Sequence, residues 1–122
     1  SSYEIHGEKV NGSLTLGENI ADLGGVTIAY HSLNQYLKDY PNQNIIIDHL
    51  TPQQRLFISY ANIWKCLSRK EDMLQRLLTD PHSPPEFRVN GILIHIDEFY
   101  KTFNIKEGNK LTLSTEDRTT IF

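Results

Sequence analysis

The sequence predicts a mainly α-helical chain with a short turn or hairpin at its N-terminus. Three observations carry this. Apolar residues recur at helical spacing between Gly17 and Leu37, a Thr51-Pro52-Gln53-Gln54 start signal precedes a second apolar stripe, and Ser68 to Glu71 repeats such a signal before a third.

Residues 3–16 hold Gly7 and Asn11-Gly12 between short β-prone pieces, the composition of a turn or loose hairpin. In the first helix, Val26, Ala29, Tyr30, Leu33 and Leu37 fall at i, i+3, i+4 and i+7 intervals and form one apolar stripe. Gly24-Gly25 costs this helix on the order of 1 kcal/mol per residue relative to Ala, which points to close approach by another backbone. Pro41-Asn42 ends the segment.

In the second helix Thr51 reads as the N-cap, Pro52 as the first helical residue and Gln54 as the partner in a capping box. Leu56, Phe57, Tyr60, Ala61, Trp64 and Leu67 line one face. The third helix would bury Met73, Leu74, Leu77 and Leu78 and stop at Asp80-Pro81. Pro84-Pro85 predicts an extended stretch. A fourth helix is expected over Ile94 to Phe103, with Ile96, Phe99, Tyr100 and Phe103 inward. Gly108-Asn109 marks a turn, and the tail to Phe122 reads as irregular.

The chain has 122 residues, enough for one domain with a modest core, and a net charge of −3. Its 12 Lys and Arg are scattered among 15 acids, unlike the clustered cations of a nucleic-acid face. No apolar run approaches the roughly 20 residues that span a bilayer, and the N-terminus lacks the pattern of a signal peptide. The chain opens without Met, as a piece of a longer protein would. A lone Cys66 excludes an internal disulfide and reads as a buried structural thiol.

Two clusters could carry chemistry. Glu18 and Asp22 lie one helical turn apart, on one face. Burying both requires a cation or hydrogen-bond donors, and a metal with histidine ligands would satisfy that need. On spacing alone the commoner arrangement is two solvated acids in a helix's first turn, where the dipole favours them. The second cluster is Asp80-Pro81-His82-Ser83-Pro84-Pro85-Glu86-Phe87-Arg88. Three prolines stiffen a loop that presents an imidazole, a carboxylate and a guanidinium. Asp80 could orient His82, protonated His82 could donate to an oxyanion, and Arg88 could bind a peptide carbonyl or carboxylate. A loop with Asp80 as a cap and Arg88 on the surface fits the same spacing. His6, His31, His49 and His95 have no H-x-x-x-H relation to one another, so no closed zinc site is apparent. Trp64 reads as core or as the wall of a pocket.

Taken together, Val10 to Leu16 running into GENIADLGG, then QQRLFISYANIW, TDPHSPPEFRVNG and EFYKTF, resemble the neprilysin, endothelin-converting enzyme and bacterial oligopeptidase O family of zinc endopeptidases. The resemblance spans nearly the whole chain in the family's order. It implies that residues 1–122 are the C-terminal helical half of a thermolysin-like zincin catalytic domain. It implies Glu18 as the third protein ligand of a catalytic zinc, and Asp22 as the acid hydrogen-bonded to a ligating histidine. His82 would stabilise the oxyanion, with Asp80 orienting it. Arg88 would hold a substrate carbonyl, and Ile63 and Trp64 would line the pocket for the residue after the cut.

The family's H-E-x-x-H motif, which supplies two histidine ligands and the general base, occurs nowhere in these residues. This stretch alone is therefore expected to hold no zinc and to be inactive, its partners being oligopeptide substrates and the missing N-terminal half of the domain. Neither nucleic acid nor membrane contact is expected from it. A non-catalytic peptide-binding or scaffold module from a degenerate relative is the alternative. His95 stands where many relatives have Asn, and Lys65 interrupts a usual Trp-Cys pair. The shortage of cysteine points to a prokaryote-like member, and the resemblance favours a periplasmic, secreted or outward-facing location.

Overall fold

The structure is a computed structural model that describes residues 3–122. It begins with a minimal antiparallel hairpin, β1 (Glu4–Ile5) and β2 (Glu8–Lys9), with Glu4 opposite Lys9. His6 and Gly7 make the turn at positive φ, the backbone region where glycine carries no steric penalty. Asn11-Gly12 is not a second turn, as the sequence had suggested. The Asn11 side chain accepts from the Leu14 N–H, so Asn11 caps α1 (Gly12–Asp39), which starts five residues before the expected Gly17. Asparagine is among the strongest N-caps, and here that preference outweighs its turn-forming one.

The capping box forms as expected. Thr51 and Gln54 exchange hydrogen bonds at the start of α2 (Pro52–Ile63). This helix stops at Ile63, short of Leu67, which is fully exposed, and Cys66 beyond it is exposed rather than buried. The box expected at Ser68–Glu71 is not made: Arg69 occupies the cap of α3 (Lys70–Thr79) without a side-chain bond. None of its four expected core residues is fully buried, and Leu78 is 81% exposed. Pro84 is extended, but Pro85 takes the first position of α4 (Pro85–Leu93). The second proline of the pair thus starts a helix where an extended stretch had been expected, because a helix's first residue needs no N–H bond. The helix expected over Ile94–Phe103 is shorter, α5 (Asp97–Thr102).

Leu23 and Val26 of α1, Phe57 of α2, and Ile92, Leu93 and Ile96 around the end of α4 form the core. Phe57 is 2% exposed and lies among Tyr30, Phe99 and Phe103. Burying such a ring contributes about 1.5–3 kcal/mol. The tail runs back over this core. Tyr100 donates to the Ile94 carbonyl and accepts from the Leu113 N–H. Arg118 stacks 3.6 Å above the Tyr100 ring and pairs with Asp97. Ile121 joins the core, and the Phe122 ring stands 3.1 Å from where a Cβ on Gly24 would be. The close approach expected at Gly24-Gly25 is therefore by a side chain, at Gly24. Among the described residues, no helix is long and apolar enough to cross a membrane.

His95 Nδ1 accepts the Thr119 N–H at 3.0 Å, which pins the tail. Burial disfavours the charged ring and lowers its pKa below the ordinary histidine value. The unfolded chain thus takes up this proton at higher pH than the folded one. The contribution of His95 to stability is complete above about pH 6.5 and is lost as pH falls through the lowered folded value. His95→Asn keeps an acceptor that does not titrate. Its thermal midpoint should fall less than that of the wild type between about pH 7.5 and about pH 5; equal falls would show that this bond does not sense pH.

Candidate active site

Helix α1 carries Glu18 and Asp22 on one face, as their spacing requires, and the loop between α3 and α4 passes above that face. Asp22 is paired with Arg88 of α4: Nε donates to Oδ2 and Nη2 to Oδ1, both at 2.7 Å. The two side chains are 12% and 15% exposed. This fork-to-carboxylate geometry fixes both groups, and its bonds raise the guanidinium's pKa further. Each Asp22 oxygen retains a lone pair for a second donor. The Arg88 guanidinium lies 3.7 Å over the Trp64 ring, and its backbone carbonyl accepts from the Tyr60 hydroxyl at 2.7 Å. Burial, and then the nearby Asp22 charge, push the Tyr60 phenol up to about 12, so it stays a donor.

In the loop, one Asp80 oxygen accepts both the His82 backbone N–H at 2.9 Å and the ring Nδ1–H at 2.8 Å. These two bonds hold the Asp80 carboxyl below its ordinary pKa. Asp80 is therefore an ionised, acceptor-only partner, which requires the proton on Nδ1. The ring's other nitrogen, Nε2, faces Glu18 Oε2 at 3.4 Å. Both side chains of that pair are nearly half exposed, 44% and 45%. An ion pair so exposed contributes little to stability, so fold stability does not explain the arrangement.

The structure thus brings Glu18, Asp22, Asp80, His82, Arg88 and Trp64 to one region, although the first two and the rest lie far apart in sequence. Beside them is a cavity of about 190 Å3, walled by Trp64, Met73, Leu77 and Pro84 and bordered by His82 and Arg88. Ile63 stands 71% exposed at the end of α2, outside those walls. Sequence reading placed Tyr60 on the apolar face of α2 and gave no role to Asn19 or Ser83. Ser83 is 4% exposed, and its hydroxyl donates to Asn19 Oδ1 at 2.6 Å. The only sequence-level sign was their position, each directly following a singled-out residue, Glu18 or His82.

Residues 2–119 match the family model described as Peptidase family M13. The chain belongs to peptidase family M13. It is 38% identical over 113 residues to Neprilysin-3 of Drosophila melanogaster, covering 91% of this chain and 14% of that protein. It is 39% identical over 112 residues to endothelin-converting enzyme 1 of Mus musculus, covering 91% and 15%. Among solved structures, it resembles the Mycobacterium tuberculosis zinc metalloprotease Zmp1 in complex with an inhibitor. That match has a TM-score of 0.90 and 40% identity, over 98% of this chain and 19% of that one. The open state of the same protein gives 0.87 and 41%, over 99% and 18%. The chain is thus a helical part of an M13 peptidase domain, and it spans less than a fifth of each of these M13 relatives.

A zinc ion is the metal this family implies. Glu18 would suit one ligand position, because it offers oxygen donors and is nearly half exposed. Among the described residues no three His, Cys, Asp or Glu side chains gather as a metal site. The Glu18 carboxylate would fit as one donor, and the described residues do not complete a set around it.

Proposed function

We propose that the protein carrying this chain is a zinc-dependent endopeptidase acting on oligopeptides, and that this chain supplies the third metal ligand and the substrate-facing groups. One observation carries the reading. In a chain of this family, Glu18 and His82 come from distant segments and face each other half exposed, beside the part-buried Asp22–Arg88 pair.

Zinc, when bound, would polarise a water molecule and the scissile carbonyl. Glu18 would hold it as one carboxylate ligand. Asp22, fixed by Arg88, would accept a hydrogen bond from a ligating histidine through a remaining lone pair. As the peptide carbonyl becomes tetrahedral, negative charge grows on its oxygen. With Nδ1–H committed to Asp80, His82 as imidazolium would donate to that oxygen from Nε2. Arg88 would hold a backbone carbonyl of the bound peptide. Trp64 and Ile63 would flank the residue after the cut, with an apolar side chain suited to the Trp64 wall.

The test is hydrolysis of a quenched-fluorescence oligopeptide by the intact protein. Cleavage should stop when a chelator strips the metal and return when zinc is added back. Cleavage indifferent to the chelator would overturn the reading, and tight peptide binding without cleavage would favour a non-catalytic peptide-binding module.

A further inference from the structure

We propose that Ser83 and Asn19 form a positioning clamp that sets His82 over Glu18, an inference that rests on the oxyanion role given to His82 above. His82 is half exposed on a loop poor in backbone bonds. Pro81, Pro84 and Pro85 have no N–H to give, and the His82 N–H is spent on Asp80 within the loop itself. The first backbone bond that returns to regular structure is from Arg88 to Pro84. Asp80 fixes the ring relative to the loop, but it does not fix the loop relative to α1.

Ser83 supplies that missing tie. Its buried hydroxyl crosses 64 residues of sequence to donate to Asn19 Oδ1 at 2.6 Å. The Asn19 amide in turn donates to Thr15 Oγ1 at 3.2 Å. Thr15, itself 3% exposed, donates to the Asn11 carbonyl at 3.2 Å. The chain of bonds runs in one direction, from the loop down α1 to its N-cap, so each bond polarises the next. It joins the residue after His82 to the residue after Glu18. Among the described residues, it is the hydrogen bond that ties loop residues 81–84 to α1. A serine hydroxyl has local alternatives, such as a carbonyl three or four residues back. Here the hydroxyl bridges the two segments that carry the site.

The clamp acts through His82, so its loss should cost rate only while the imidazole is present. In the intact, zinc-loaded protein, Ser83→Ala should lower kcat by roughly 10²-fold, as a displacement of about 1 Å can, with KM and zinc content little changed. In a His82→Phe background, the same substitution should change kcat by less than about twofold, because the step it serves is already gone. Hydrogen exchange gives a second readout, independent of activity and measurable on the metal-free protein: the 80–84 segment should exchange faster in Ser83→Ala, while α2 is unchanged. Asn19→Leu removes the acceptor and should reproduce both effects, which covers a failure of Ser83→Ala to fold. Equal kcat losses with and without the His82 imidazole would overturn the clamp and leave the peptidase reading intact, as would unchanged exchange of the 80–84 segment. Full kcat in His82→Phe itself would instead overturn the oxyanion role, and with it this proposal.

Discussion

Replacing His82 by Phe in the intact protein is expected to lower kcat by roughly 10²–10³-fold while KM stays close to that of the wild type. The ring is held at two points: its Nδ1–H and its own backbone N–H both end on Asp80. Nε2 is thereby directed at the Glu18 side of the site. A donor there meets a nearly neutral carbonyl oxygen in the ground state and a charged one in the transition state, so its loss falls on kcat. Phe keeps the ring's bulk without the donor. Arg88→Met should behave differently. A contact to a non-reacting carbonyl is present before and during reaction, so KM should rise. The variant should also lose about 1–3 kcal/mol of stability, because it leaves the part-buried Asp22 carboxylate without its donors. Steady-state kinetics with zinc content checked in each variant separates the two cases, and an unchanged kcat in fully metallated His82→Phe would remove the oxyanion role.

Glu18→Gln should have the larger effect still, with zinc lost and hydrolysis abolished. A neutral amide is a poor ligand for a dication. Asp22→Asn should be milder in metal content, with losses of about 10–100-fold in affinity or activity. It also replaces one accepting oxygen of the Arg88 fork by an amide nitrogen that cannot accept, so stability should fall alongside. Metal analysis after dialysis decides: zinc retained by Glu18→Gln but lost by Asp22→Asn would reverse the two roles.

Where local chemistry had one solution, the fold was legible in the sequence. Thr51 and Gln54 made their box, and Ile96, Phe99, Tyr100 and Phe103 turned inward or partly so. Where one residue had two uses, it was not. Asn11 could turn a hairpin or cap a helix, and Pro85 could extend the chain or open a helix. The tertiary setting chose, with Thr15 buried under the Asn11 cap and Val89, Ile92 and Leu93 of α4 packed on the core. Leu78 and Leu67 show the reverse case, apolar residues at helical spacing that nothing among the described residues covers. The site was legible as separate pieces. Motifs named Glu18, Asp22, Asp80, His82 and Arg88, but single-sequence spacing could not pair Asp22 with Arg88 or Ser83 with Asn19. Those pairs span 66 and 64 residues and exist only once α4 and its preceding loop dock on α1.

The most direct test of the central claim, that Glu18 is a ligand of a catalytic zinc, is anomalous diffraction at the zinc edge from crystals of the intact protein. One strong peak is expected about 2.0–2.2 Å from a Glu18 carboxylate oxygen, on the side of α1 that faces His82. A zinc peak out of bonding reach of Glu18, in a protein that cleaves peptides, would contradict it.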